Sequence, residues 1–461
     1  YKIPSMKLIE KLPDKSYRLV CFGIIAGVCL AFLGSIFLDW VVIWGEKIPQ
    51  TDIGTDYFWG ALWALMLGAT IIIWPVPWED KGHLVFAWFI KALIALSVVL
   101  LYEYKYEIDS VGYYFKPMSD DFIDRGFSLD MTEAKHGARR GSWNITTLAV
   151  YQNFILSDSY HALKISFCLA GLVGGYLFYC ASKVFLGFAD RRLFYAFIFF
   201  PSIFFWTSLP GKESIALAFT GLYCYGVISW HKFGKFKYFL MLLAGGILTM
   251  YVRVWSGLIL FIPLLVIILN IKRNSIIKWM VFPLVIFMIG FTAYKFSNIT
   301  GIYSTQDLIE KIEFNIEHGR GGSAIKGGGQ KLGDLKSVAF ELVKNFPKIL
   351  FRPFPGDVPS AVGLLAGLEG VVLLLMFFRV VYRTRLGELK EPLVLWAMGV
   401  VLIWASIYAL SAFNLGTIVR WRVQILPIFL GLLLYLGRRR QRVAEVSSPG
   451  FPVTAGQNSG L

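Results

Sequence analysis

The sequence predicts an all-α fold: a polytopic transmembrane helical bundle of about twelve spans, with two long extracytoplasmic loops carrying amphipathic helices. Three observations predict it. The 461-residue chain is 56% hydrophobic and only 16% charged, with mean hydropathy +0.61, too few charges to cover a soluble surface of that size. Apolar runs long enough for a hydrocarbon core of roughly 30 Å recur along the chain. Lys and Arg alternate between connecting loops in the way that sets membrane orientation. Helices are the expected spanning element, because each satisfies its own backbone hydrogen bonds in lipid. The alternating segments of about ten residues that a membrane β-barrel needs do not occur.

Taken in order, the expected spans lie near 19–40, 57–75, 84–102, 163–181, 192–209, 214–230, 237–252, 254–271, 277–296, 358–380, 392–411 and 421–437. The first follows the basic stretch "MKLIEKLPDKSYR" and reads as a retained signal anchor. With that end cytoplasmic, the segments "SKVFLGFADRR", "HKFGKFK", "IKRNSIIK", "RVVYRTRLGELK" and "GRRRQR" are all cytoplasmic and all basic. The opposite short loops "VVIWGEKIPQTDIGTD" and "SLPGKES" hold one Lys each. This pattern accounts for much of the net charge of +15 without nucleic acid as a partner. Both termini are expected in the cytoplasm, with a disordered tail after Arg442.

Two long loops then face outward, from about Tyr102 to Ala162 and from about Ser297 to Asp357. The second holds "HGRGGSAIKGGGQKLGD", which cannot build a core, followed by "LKSVAFELVKNFPKILF", whose apolar residues recur at helical spacing opposite lysines. "ITTLAVYQNFIL" in the first loop is a weaker pattern of the same kind. Cys21, Cys29, Cys168, Cys180 and Cys224 lie in or at the ends of apolar runs, without metal-ligand spacing, so neither a disulfide framework nor a zinc site is expected. His161 and His318 have no partner at metal spacing, and no P-loop, GxSxG or HExxH motif occurs.

The candidate chemistry gathers at the outer surface. The first loop opens with "YEYKYEIDSVGYYFKPMSDDF", which places Glu107 and Asp109 close to the third span and Asp120 and Asp121 soon after. A carboxylate held near the bilayer among aromatic rings can become a general base; a solvated acidic loop is the alternative. "KHGARRGSW" adds His136, Arg139 and Arg140, which suit an anionic ligand or pairing with the neighbouring acids. Lys212 and Glu213 form the turn in "SLPGKES". Arg253 separates the seventh and eighth spans, Arg352 precedes the tenth, and Arg420 and Arg422 open the last. Each cation alone suits an anchor snorkelling toward headgroups. Repeated at separate hairpins, the set suits a lipid phosphate or pyrophosphate, which Arg recognises through its planar fork of donors.

"YEIDSVGYY", "FPSIFFWTSLPGKES", "LFRPFPGD…LEG" and "NLGTIVRWRVQILP" resemble stretches of the polytopic GT-C superfamily of glycosyltransferases and the related O-antigen-type polymerases of bacterial surface polysaccharides. The loop plan is similar over residues 84–437, which the resemblance marks as a GT-C-like module. Residues 1–83 then form a cytoplasmic segment with two extra helices, and residues 438–461 a cytoplasmic tail. Two departures are an additional pair of spans before the module and no DxD or DD motif directly after the third span. The resemblance implies transfer of a sugar or repeat unit at the outer face of the bacterial inner membrane. The donor is a polyprenyl-phosphate- or pyrophosphate-linked glycan, and the acceptor a glycan or lipid-linked glycan. Asp109 is carried over as base, with Glu107, Asp120 and Asp121 open as alternatives. Lys212, Glu213, Arg253, Arg352, Arg420 and Arg422 are carried over as phosphate-binding or positioning residues, with Glu213 fixing Lys212 toward the phosphate. No cofactor is assigned; a divalent cation, Mg or Mn, is left open. The competing classes are a lipid-linked oligosaccharide flippase or polysaccharide transporter, and a structural subunit of an export complex. A transporter would use mid-span charges and an internal repeat of its halves; such charges are few, with Glu369 and Lys91 inside spans and Lys164 at the edge of the fourth, and no half-to-half similarity is evident.

Asp109→Asn is the direct check on the base. Surface glycan should be lost and lipid-linked precursor should accumulate, at unchanged membrane abundance. Unchanged glycan length and amount would move the search to Asp120 and Asp121.

Overall fold

The computed structural model describes residues 25, 52–106, 109–115, 140–156, 159–270, 275–318, 335–358, 360–409 and 414–438. Among these residues the chain is helical nearly throughout and has no β-strand. The first half runs through α1 (Ile53–Ile73), α2 (Trp78–Leu96), α3 (Val98–Lys105), α4 (Asp109–Phe115), α5 (Arg140–Ile155), α6 (Tyr160–Leu186), α7 (Arg191–Phe199), α8 (Pro201–Trp206), α9 (Lys212–Phe233) and α10 (Phe236–Val252). The second half adds α11 (Ser256–Leu269), α12 (Ser275–Thr300), α13 (Thr305–His318), α14 (Leu335–Phe351), α15 (Ala361–Arg383), α16 (Leu386–Leu389), α17 (Pro392–Ala409), α18 (Leu415–Arg422) and α19 (Leu426–Leu436).

Among the described residues six helical stretches are long and apolar enough to cross a bilayer: α1, Trp78–Tyr104 through α2 and α3, α6, most of α12, most of α15, and α17. The pair α18 and α19, bent by 72°, makes a seventh if counted as one span. Trp279, Met280 and Phe287 on α12 and Leu375, Phe378 and Val381 on α15 stand exposed. Hydrocarbon, unlike water, tolerates such outward rows of large apolar side chains. The chain is a helical membrane protein.

Several expected spans take a different form. The run at 192–209 is not one helix. Pro201 has no amide hydrogen to continue α7, and Phe200 is extended, so the chain breaks and restarts as the six-residue α8. α10 and α11 have 17 and 14 residues, short for a crossing that needs about 20. α9 is 22 residues long but more polar than the six. Apart from residue 25, the expected first span at 19–40 lies outside the described residues, as does the tail from 439 onward. Both amphipathic patterns are helical, as α14 and within α5. α14 buries Ile349, Leu350 and Phe351 but leaves Phe340 and Val343 exposed, and α13 packs on it through Ile309, Ile312 and Val338.

The centre of the bundle is α6 against α9, with α10 on the far side of α9 and α1 on the far side of α6. Gly174 and Gly221 allow the approach. A Cβ on Gly174 would sit 2.8 Å from the Ala218 amide nitrogen, and one on Gly221 would sit 2.8 Å from the Gly174 carbonyl oxygen. Without a hydrophobic drive between helices in lipid, such backbone approach supplies the packing. α6 starts where the Ser159 hydroxyl accepts from the Ala162 amide and stops at Gly187, whose φ of 81° suits a residue without Cβ.

Among the described residues several charges inside the bundle are paired. Lys164 donates to Glu103 at 2.7 Å, with both side chains buried, and the Tyr160 hydroxyl donates to the other carboxylate oxygen at 2.7 Å. His161 Nδ1 lies 2.7 Å from the buried carboxylate of Asp56. Near the other end of α6, Asp80 accepts from Tyr176, Lys183 and Arg191. Removing one member of such a pair leaves an uncompensated buried charge. Lys164→Met should therefore destabilise the protein by about 3–5 kcal/mol. Lys164→Met with Glu103→Gln should recover part of that loss, because the amide still accepts from Tyr160. Thermal unfolding of the purified protein in detergent reads both.

Candidate functional site

One end of the bundle collects the ends of helices that are distant in sequence. α9 begins there with Lys212 and Glu213 in its first turn, α10 ends there at Val252 with Arg253 as its cap, and α18 carries Arg420. Glu213 is the hub. Its Oε1 lies 2.5 Å from Arg253 Nη2 and 2.9 Å from Arg420 Nε. The Glu213 side chain is 2% exposed and that of Arg253 5%, whereas Arg420 is 19% exposed, so Arg420 is the member that reaches outward. With its amide oxygen turned toward Arg253, Gln424 accepts from Nε at 2.9 Å and Nη1 at 3.1 Å. The Arg420 guanidinium stands 5.7 Å from the Trp206 ring centre, a cation–π arrangement. Trp206 in turn meets Phe205 and Tyr102 edge to face.

Gly211 belongs to this geometry. A Cβ there would lie 2.9 Å from Glu213 Oε2 and 3.6 Å from Arg420 Nη2, so a side chain would press on the carboxylate that holds both arginines. Two guanidiniums meet one carboxylate here, Arg420 is partly exposed, and Lys212 is half-buried in the same turn. Chemically, this arrangement suits an anion that can meet planar, fixed donors.

The structure separates the sequence candidates. Glu213, Arg253 and Arg420 converge, and the cations Glu213 holds come from two other hairpins. Arg352 is engaged in its own loop: its Nε and Nη2 donate to Asp357 at 2.9 and 2.6 Å, and the Phe354 amide donates to the same carboxylate at 2.7 Å. Arg422 points inward. It donates to the carbonyls of Leu350 and Arg352 at 2.8 and 3.2 Å and pairs with Glu369 at 3.1 Å, with both side chains buried. Arg352 and Arg422, carried over as phosphate-binding or positioning residues, are thus both engaged by protein groups, Arg352 by Asp357 and Arg422 by Glu369 and two carbonyls. Asp109 opens α4 and Arg140 opens α5, and these two helices pack together. The residue after Asp109, Ser110, meets the Tyr160 hydroxyl at 3.0 Å, which links α4 to the Glu103–Lys164 pair. Glu107, Asp120, Asp121, His136 and Arg139 lie outside the described residues.

Gln424, Trp206, Glu103 and the Asp56–His161 pair were not singled out from the sequence as partners of this end. Gln424 lies four residues after Arg420, but the bend between α18 and α19 removes the helical spacing that would flag it. Among the described residues no three His, Cys, Asp or Glu side chains come together as metal ligands. Comparison with protein-family models, curated proteins and solved structures finds no match for the chain.

The Arg352–Asp357 pair makes a pH prediction. Hydrogen bonds from Arg352, and then from the Phe354 amide, hold the Asp357 carboxyl below its ordinary value of 3.8. A depressed carboxylate stabilises the fold above its unfolded pKa and loses that contribution as pH falls through the folded value. Amide exchange in residues 352–358, taken relative to the intrinsic rate at each pH, should thus be unchanged from pH 7 to about pH 5 and rise below about pH 4. In Asp357→Asn it should already be fast at pH 7.

Proposed function

We propose that the protein is an integral membrane glycosyltransferase or polymerase. It transfers a sugar or oligosaccharide repeat unit from a polyprenyl-phosphate or -pyrophosphate donor to a glycan acceptor at the extracytoplasmic face. In this reading the chain has about twelve spans with both termini cytoplasmic, in a bacterial inner membrane, and serves cell-surface polysaccharide assembly. The observation that carries the reading is the convergence of Arg253 and Arg420, from separate hairpins, on the buried Glu213 at one end of the bundle. The similarity of "FPSIFFWTSLPGKES" and "NLGTIVRWRVQILP" to GT-C stretches supports it from the sequence side.

The chemistry asked of the site is limited. The acceptor hydroxyl oxygen attacks the anomeric carbon as the bond from that carbon to the phosphate oxygen breaks. The phosphate leaves with the electron pair, and the hydroxyl proton goes to an ionised carboxylate acting as base, for which Asp109 is the candidate. Negative charge grows on the leaving phosphate, so donors already fixed in place lower the barrier. Glu213 serves this by holding two guanidiniums in position before the donor arrives. A transporter would need mid-span charges available to a substrate. Lys164 is instead paired with Glu103, Glu369 with Arg422, and Lys91 with three oxygen acceptors.

The test is Arg420→Ala in cells, with membrane abundance followed in parallel. Loss of a transition-state donor should lower glycan assembly by about a hundredfold or more, with lipid-linked precursor accumulating. Normal glycan at normal abundance would remove this site from the reaction. Arg352→Ala should lower glycan far less than Arg420→Ala, since Arg352 is held by Asp357.

A further inference from the structure

The break at Pro201 leaves α8 as a short helix inside the bundle, and two buried ionisable side chains meet its two ends. Glu369 reaches the N-terminal end from α15, where its Oε2 accepts from the Ser202 amide at 2.7 Å. Lys91 reaches the C-terminal end from α2. Its Nζ donates to the Phe204 carbonyl at 3.1 Å, the Thr207 hydroxyl at 2.7 Å and the Ser208 hydroxyl at 3.0 Å. Lys91 is 1% exposed and Glu369 4%. The signs complement the helix dipole, with a carboxylate at the amide end and an ammonium at the carbonyl end. Glu369 also satisfies an amide that the break would otherwise leave bare in an apolar interior, and Lys91 adds a second donor to the Phe204 carbonyl, which the Ser208 hydroxyl also meets. All three bonds of Lys91 go to the segment 204–208 and none to a carboxylate.

That segment leads directly to the site. α8 ends at Trp206, the ring beneath Arg420, and five residues later Gly211 begins the turn that holds Glu213. We propose that Lys91 and Glu369 are positioning residues: they clamp α8 from opposite ends and so set where Trp206 and the Gly211–Glu213 turn stand. The clamp also assigns a role to charges that neither the base nor the phosphate cluster uses. Its consequence for glycan transfer rests on the functional reading above; the clamp itself does not.

Lys91→Met tests it, read by amide hydrogen exchange on the full-length chain in lipid nanodiscs. The variant should fold, because the Thr207 and Ser208 hydroxyls keep their own acceptors, the carbonyls of Ile203 and Phe204. Residues 203–211 should exchange about tenfold faster, equivalent to about 1.4 kcal/mol of local opening. α10 and α17 should exchange as in the wild type. Thr207→Val, which removes one acceptor of Lys91, should give a smaller rise in the same segment and decides the matter if Lys91→Met does not reach the membrane. Wild-type exchange at 203–211, or a rise spread evenly over all helices, would overturn the clamp. Glycan assembly in cells separates the two ideas: a released segment with normal glycan leaves the clamp standing and counts against the Glu213 site as the place of transfer.

Discussion

A charge carried into an apolar bundle has to bring a partner, and this constraint organises the structure. The cost of an isolated buried ion is too large for folding to absorb, so each buried charge is also a fixed contact between helices. Lys164 ties α6 to Glu103, His161 ties α6 to Asp56 on α1, and Asp80 draws Lys183 and Arg191 to α2. Arg422 joins α18 to α15 through Glu369 and to the end of α14 through two carbonyls. Packing between apolar helices in lipid is not directional enough to bring the ends of α9, α10 and α18 together within hydrogen-bond distance. The Glu213 cluster does that.

The same constraint explains which parts of the fold could be read in advance. Apolar length is a property of the local sequence, so α1, α6, α12, α15 and α17 stand close to where the hydrophobic runs place them. Pro201 was visible, but its effect was not. A proline in an apolar run kinks, ends or merely bends a helix depending on what neighbours supply to the freed backbone. α11, α12 and α14 each keep a proline inside the helix, whereas α7 ends just before Pro201. The amide of Ser202 just beyond that break is met by Glu369, a residue 167 positions away. No local pattern contains that information.

The arginines make the same point for the site. Arg352, Arg420 and Arg422 look alike in sequence: each sits near the end of an apolar run, among aromatic residues. Arg352 has a carboxylate five residues on, and the stretch "RPFPGD" is short enough to close on itself, so its pairing was legible in principle. Arg420 and Arg422 differ by two residues on one helix, which turns them roughly 200° apart. One therefore faces Glu213 and partial solvent, and the other faces the bundle and Glu369. Helical spacing separates the two, but which of them meets the site depends on how α18 is rotated, and that follows from the buried Arg422.

This rotation links the buried Arg422–Glu369 pair to the Glu213 cluster. Arg422 is fully buried, and its fixed acceptors on α14 and Glu369 leave α18 little freedom to turn about its own axis. The buried Arg422 thereby works together with Arg420's own contacts to Glu213 and Trp206 in presenting Arg420 to the cluster. Glu369 occupies both sides of this arrangement: one oxygen takes Arg422 and so orients α18, and the other takes the Ser202 amide and so seats α8. The two elements that bring Arg420 and Trp206 together are thus referenced to a single carboxylate. On the functional reading proposed above, donors held in this way would need no rearrangement when charge develops on a leaving group, and such preorganisation is where an electrostatic site gains most over water.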